Sequence, residues 1–171
     1  MPGLREVVSL IPPVLIAQLS ITSPTQALGT ARIIGSNDAT YGTVGWTPPL
    51  NGTPFAVLEL MRTKEVEQEV GRIRAKGIVN TFIAIEHTDT PTVMEDYHDR
   101  QMAWMDSMRQ VVAANRRLYP GTITQYPTAG DVRWQMTDIN MISSKPFLGS
   151  IWRGIECLTN LEASIVVNFQ G

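Results

Sequence analysis

With 171 residues the chain fits a single domain. A domain of this size buries roughly 70% of its unfolded surface, so folding requires neither a disulfide nor a structural metal. Charged residues make up 18%, against a usual share of about 25%. The net charge of −2 excludes a chain-wide basic footprint for nucleic acid, and the one cysteine, Cys157, excludes an intramolecular disulfide framework.

Residues 4–21 are mostly apolar. Pro12-Pro13 must break or restart any helix there, which gives a short helix ending before Pro12 and a second apolar turn after it. The run Val7 to Ala17 behind Arg5 faintly resembles a signal peptide, but the two prolines interrupt it and no small-residue cleavage site follows. No run reaches the 18 or so apolar residues of a membrane span, so the expectation is a soluble chain made in the cytoplasm. From Thr22 to Pro54, Gly, Thr, Pro, Ser and Asn dominate, with apolar patches only at Ala31–Ile34 and around Trp46. Loops this long carry function or order on binding. This one reads as a surface excursion with a short strand at 31–34, or as an interaction arm.

Phe55 to Arg62 is nearly continuously apolar and reads as a strand covered on both faces. Arg62 to Gly71 is polar and charged, which suits a connection. Arg72 to His87 reads as a longer strand whose first half alternates Arg72, Arg74 and Lys76 with Ile73, Ala75 and Gly77. With a period of two, those three cations share one face of a ribbon running beyond the core. Thr92 to Asn115 reads as a helix, with Thr92-x-x-Glu95 as a capping box. Glu95, Asp96 and Asp99 fall near its start, and Arg109, Arg116 and Arg117 at or past its end. Met94, Tyr97, Trp104, Met105, Met108, Val111 and Val112 form its apolar stripe. Asp131 to Ile142 alternates as a strand and Ser143 to Gly149 reads as a turn region. Ile151 to Phe169 reads as a long final strand with an irregularity near Thr159-Asn160.

The order helix, strand, strand, helix, strand, strand gives an α+β fold. Its form is a mainly antiparallel four-stranded sheet with helices packed on one face, plus a long N-terminal loop region. The single domain 1–171 divides into an N-terminal helix and loop over 1–53 and a sheet-and-helix core over 54–171.

Chemistry-bearing motifs are sparse. His87, His98, Asp89, Asp96, Asp99 and Cys157 match no zinc spacing. Gly42-Thr43-Val44-Gly45 and Gly29 to Gly35 match no phosphate-binding glycine motif and read as loop flexibility. No nucleophile elbow is present, and Cys157 lies in an alternating apolar stretch as a buried thiol. Glu86 and Asp89 read as solvated or capping carboxylates. The expectation is therefore a protein without catalytic, cofactor-binding or metal-binding residues, and not an enzyme. Arg72, Arg74 and Lys76 are the candidate residues for contact with a partner or a channel.

In its element order the chain resembles the tail-terminator, or tail-completion, proteins of long-tailed bacteriophages. The likeness is carried over 54–169 by the strand Pro54-Phe55-Ala56-Val57-Leu58-Glu59-Leu60, the long hairpin into Ile78–His87, and a helix followed by a final long strand, with a helical N-terminus ahead of them. The segment 22–54 fits that family less well and fits a related neck or tube component. The resemblance implies a virion protein that forms a ring, commonly a hexamer, capping the tail tube. It implies as partners the tail-tube protein, the head-side connector and DNA passing through the channel. Alternatives are a head-completion or tail-tube subunit and, from another class, a small α+β enzyme or ligand-binding domain.

Overall fold

The period-two patterns of this chain are built into strands much longer than the apolar runs that announce them. The computed structural model describes residues 4–69, 72–118 and 129–166, and about half of these lie in strands. Two short strands, β1 (Ser20–Thr22) and β2 (Thr25–Ala27), form a separate hairpin. The main sheet contains β3 (Thr30–Ile33), β4 (Phe55–Glu69), β5 (Arg72–His87), β6 (Arg117–Leu118), β7 (Ala129–Phe147) and β8 (Ser150–Val166). Its order is β3-β4-β5-β8-β7-β6. Only β3 and β4 pair in parallel; the other neighbours are antiparallel.

This corrects the four-stranded, mainly antiparallel α+β expectation: the chain is mostly β, with one curled, mixed, six-stranded sheet and two helical stretches. The physical reason is that a ladder needs backbone partners, not apolar side chains. The polar segment 62–69, expected as a connection, extends β4 by pairing with 72–78 of β5. Ser143–Phe147, expected as a turn, extends β7 by pairing with β8 up to a two-residue turn at Leu148-Gly149. Both turn residues have positive φ (46° and 83°), a conformation that suits Gly149 and strains Leu148. The segment 22–54 is no continuous loop either, since it holds the end of β1, β2 and β3, and Gly42 bridges to Ile33. The irregularity expected near Thr159-Asn160 lies on the facing strand, where the register shifts between Met136 and Asp138.

The N-terminal helical stretch runs through α1 (Leu4–Val7), a 3-10 turn (Val8–Leu10) and α2 (Ile11–Gln18). Pro12-Pro13 restart the helix at its first turn, where their missing N–H groups cost nothing. Helix α3 spans Met94–Ala114. These helices cover one face of the sheet, called the inner face here. Leu4, Val7, Ile11, Leu15, Trp104, Met108 and Val112 pack there against Leu58, Val79, Ile83, Trp134, Ile155, Cys157 and Leu161. Gly77 has no room for a side chain, because a Cβ would collide with Leu4 and the Arg62 carbonyl. The outer face carries a smaller cluster at one end only, where Phe55, Val57, Phe82, Ala84 and Trp152 are covered by Trp46 and Phe147. Phe55 meets Trp152 edge-on at 4.9 Å and Trp46 at 5.4 Å. Among the described residues no helix is long and apolar enough to cross a membrane.

Candidate functional site

The end of the sheet where β5 finishes and β8 begins will be called the clamp end. A register shift between Ala84 and Glu86 re-aims the last residues of β5. Glu86, 4% exposed, there meets two guanidinium groups. Its Oε2 accepts from Arg100 Nη2 at 2.5 Å and from Thr92 Oγ1 at 3.0 Å, and its Oε1 accepts from Arg153 Nη1 at 3.1 Å. Arg153 also donates to the Thr88 carbonyl at 3.3 Å and lies 5.4 Å over the Tyr97 ring. Tyr97 O–H donates to the Ile142 carbonyl at 2.8 Å, and the Gln101 amide donates to the Gly154 carbonyl at 2.7 Å. Burial pushes the Tyr97 hydroxyl up to about 12, with the Glu86 charge adding and Arg153 and Arg100 opposing. The bonds of Thr92, Tyr97, Arg100 and Gln101 tie the first turns of α3 to β5, β7 and β8, and those of Arg153 tie β8 to the end of β5. The expected capping box is not formed: Val93 is the N-cap, without a side-chain cap bond, and Thr92 serves Glu86 instead.

The other chemistry-bearing residues are dispersed. His87 Nδ1 accepts from the Asp89 N–H at 3.2 Å, and its ring stands edge-on to Trp152. His98 packs beside Tyr97. Cys157 is buried, and burial first, with the Asp138 charge second, pushes its thiol up to about 12. Among the described residues no group of three His, Cys, Asp or Glu side chains converges on one point. Gly42, one of the glycines of the loop motif, is packed and not free, since a Cβ there would collide with the Ser36 and Asp38 carbonyls.

The opposite end of the same strands, called the arm end here, carries the cations. Of the three candidates along β5, the side chain of Arg72 lies outside the described residues. Arg74 is ion-paired with Glu162, and Lys76 is exposed. Across the sheet, the register adds a row that crosses five strands. Arg117 pairs Arg133, Arg133 pairs Glu162, Glu162 pairs Lys76 and Lys76 pairs Lys64. Directly paired residues share a face, so this row spans about 19 Å of the outer face at the usual strand spacing. The next row on that face adds Arg62, paired with Ile78. Arg62, Lys64 and Lys76 line a depression of about 380 Å³ beside Glu162 and Asn160. Arg116, Arg117 and Arg133 line another of about 330 Å³ with Gln135. Arg62, Lys64, Arg74, Lys76, Arg117 and Arg133 thus lie around Glu162, the carboxylate of this row among the described residues. Met61 and Val66, both about half exposed, lie on the same stretch of β4.

Sequence reading missed Arg62, Lys64, Arg117 and Arg133 as members of one surface. The spacing of Arg62 and Lys64 is a period-two signal that could have marked a strand, but the polar composition masked it. For the cross-strand row no local signal exists, because only register assembles it.

The clamp end differs in charge. Asp89, whose side chain is 91% exposed, is followed by exposed Glu95, Asp96 and Asp99. Among the described residues no ion pair reaches Glu95, Asp96 or Asp99. Asp96 and Asp99 line a depression of about 430 Å³ with Ser23, Pro24, Thr92 and Arg100. Val93, Met94, Leu148 and Ile151 are exposed apolar side chains in the same region; the Thr88 N–H donates to the Ile151 carbonyl and ties the two segments together. Comparison with protein-family models and with curated proteins finds no match.

Proposed function

We propose that this chain is a structural virion protein, resembling a phage tail terminator, which assembles head to tail into a ring that caps the tail tube and receives the head-side connector. The observation that carries the reading is a pair of unlike, partly apolar surfaces at opposite ends of the same strands. Met61 and Val66 are exposed at the arm end, and Val93, Met94, Leu148 and Ile151 at the clamp end. Ile151 and Ser164, the β8 residue level with Val66 through Arg74, are separated by roughly 40 Å of strand at about 3.3 Å per residue. Two unlike patches on one chain make heterologous contacts, which close into a ring or run on as a filament. The N-terminal helical stretch, the 55–60 strand, the long hairpin into 78–87 and the helix before a long final strand are the elements on which the resemblance rests.

The polar constellation at the clamp end supports a structural role more than a catalytic one, because its carboxylate is saturated by two guanidiniums and a hydroxyl. The test is capping. Purified protein is added to tubes polymerised from tail-tube protein and the tube ends are examined by electron microscopy. Density at one end, with elongation arrested, supports the reading. Incorporation along the tube wall makes the chain a tube subunit, and absence from the tubes contradicts both.

A further inference from the structure

The outer face at the arm end is open sheet surface among the described residues, with Arg62, Lys64, Lys76, Arg117 and Arg133 exposed along β4, β5, β6 and β7. The Phe55–Trp152 cluster covers the outer face at the other end, and helices cover the inner face. Lys64 and Lys76 are exposed side by side on the outer face at the arm end, with Arg62 in the next row. Glu65, on the same stretch of β4, pairs with Ala75 and so lies on the inner face, and a group of exposed carboxylates lies at the clamp end, on the helix side. Asp89, Glu95, Asp96 and Asp99 are exposed there beside Val93 and Met94.

We infer that the outer face around Lys64 and Lys76 docks a second copy of this chain, through the first turns of α3 and the 88–93 connection of that copy. This rests on the ring reading and names the surfaces that would close the ring. Three properties fit these surfaces to one another. Their charges are opposite, and oppositely charged patches steer and register an encounter. Each adds exposed apolar side chains, Met61 and Val66 on one and Val93 and Met94 on the other. Each also lies on the opposite end and opposite side of the sheet from its counterpart, so one copy cannot satisfy itself and must pass the contact on. The acid-lined depression at Asp96 and Asp99 has room for a lysine or arginine side chain from the neighbour. A nucleic-acid backbone is the competing occupant of a basic face. It would meet the cations but would leave Met61 and Val66 without an apolar partner.

The test is a charge swap on exposed positions. K64E/K76E and D96K/D99K are prepared singly as pairs, with folding checked by circular dichroism, and their masses are followed by sedimentation velocity. Each pair alone should weaken assembly on the order of 100-fold, because attraction becomes like-charge repulsion. An equimolar mixture of the two should assemble again in alternation, since each then presents the sign the other lacks. Assembly of either pair at wild-type strength overturns the inference while leaving the ring reading intact. Failure of the mixture, with both pairs folded, also overturns it. A wild-type chain that stays monomeric throughout, with or without tube protein, removes the ring reading itself. If K64E/K76E assembles normally but loses retention of a 30-base-pair duplex, the face belongs to nucleic acid and the inference is wrong.

Discussion

Replacing Glu86 with glutamine removes one charge from the most buried ionic constellation of the described fold, and its cost follows from the geometry. The carboxylate is 4% exposed and accepts from Arg100, Arg153 and Thr92. The amide has one acceptor oxygen and presents its own N–H donors to a guanidinium, so a cation is left poorly compensated. Breaking a buried ion pair from one side costs about 3–5 kcal/mol. The Arg153 side chain is 28% exposed and can turn toward water, which places the expected cost near the lower bound, about 3 kcal/mol. With an unfolding entropy of about 2.1 cal/mol/K per residue, that loss lowers Tm by about 8 °C. The assay is urea and thermal unfolding followed by circular dichroism, with D106A as the control. Asp106 pairs with Arg109 on the surface of α3, both side chains being about half exposed or more, and its loss should cost at most about 1 kcal/mol. If E86Q unfolds within that same range, the constellation does not hold α3 on the sheet and the reasoning fails.

Other consequences are equally direct. Gly154 lies where a Cβ would collide with the Ile83 carbonyl, so G154A should destabilise by about 2–4 kcal/mol through a forced separation of β5 and β8; a change below about 1 kcal/mol in urea unfolding would contradict the close approach. Cys157 should resist thiol reagents at neutral pH in the folded protein and react at once in denaturant, as its burial and raised pKa require. Tyr97 and Cys157 hold their protons more tightly folded than unfolded, with values of about 12 against ordinary values of 10.0 and 9.0. Their contribution to stability is thus constant below pH 9 and falls as pH rises from about 9 to 12, by up to about 1.4 kcal/mol per pH unit for each group. Alkaline unfolding that starts earlier in C157S than in wild type would contradict this sign.

How far the sequence revealed this fold differs from element to element. The span of β5 was legible to the residue, because Arg72 to Gly77 alternates, Ile78 to Ile85 is mainly apolar on both faces, and the run ends at a turn. Helix α3 was legible from its apolar stripe, but its cap was not. Thr92 is a good capping residue by local rules, and a buried carboxylate distant in sequence outcompeted the helix for its hydroxyl. Arg62–Glu69 and Ser143–Phe147 were illegible as strands because their residues need no apolar cover when the pairing strand supplies the hydrogen bonds. That error shortened the arms; the sheet was read as four strands because β3 (4 residues) and β6 (2 residues) are too short to show a period-two pattern. The Arg72, Arg74, Lys76 reading follows a single strand and so does not display neighbours on the strands beside it. Glu162 neutralises Arg74, and Lys76 belongs to a row that runs perpendicular to β5 through Lys64, Arg133 and Arg117. Register across strands far apart in sequence is what a single sequence does not display.

The central claim, head-to-tail assembly into a closed ring, is tested most directly by absolute mass. Light scattering after size exclusion should be run over a wide concentration range, at low and at high salt, with and without tail-tube protein. The account predicts one discrete species of several subunits, about six by the resemblance, which weakens at high salt because opposite charges help to close it. A strict monomer that ignores tube protein under every condition would contradict the account, and open-ended polymers would replace the terminator with a tube subunit.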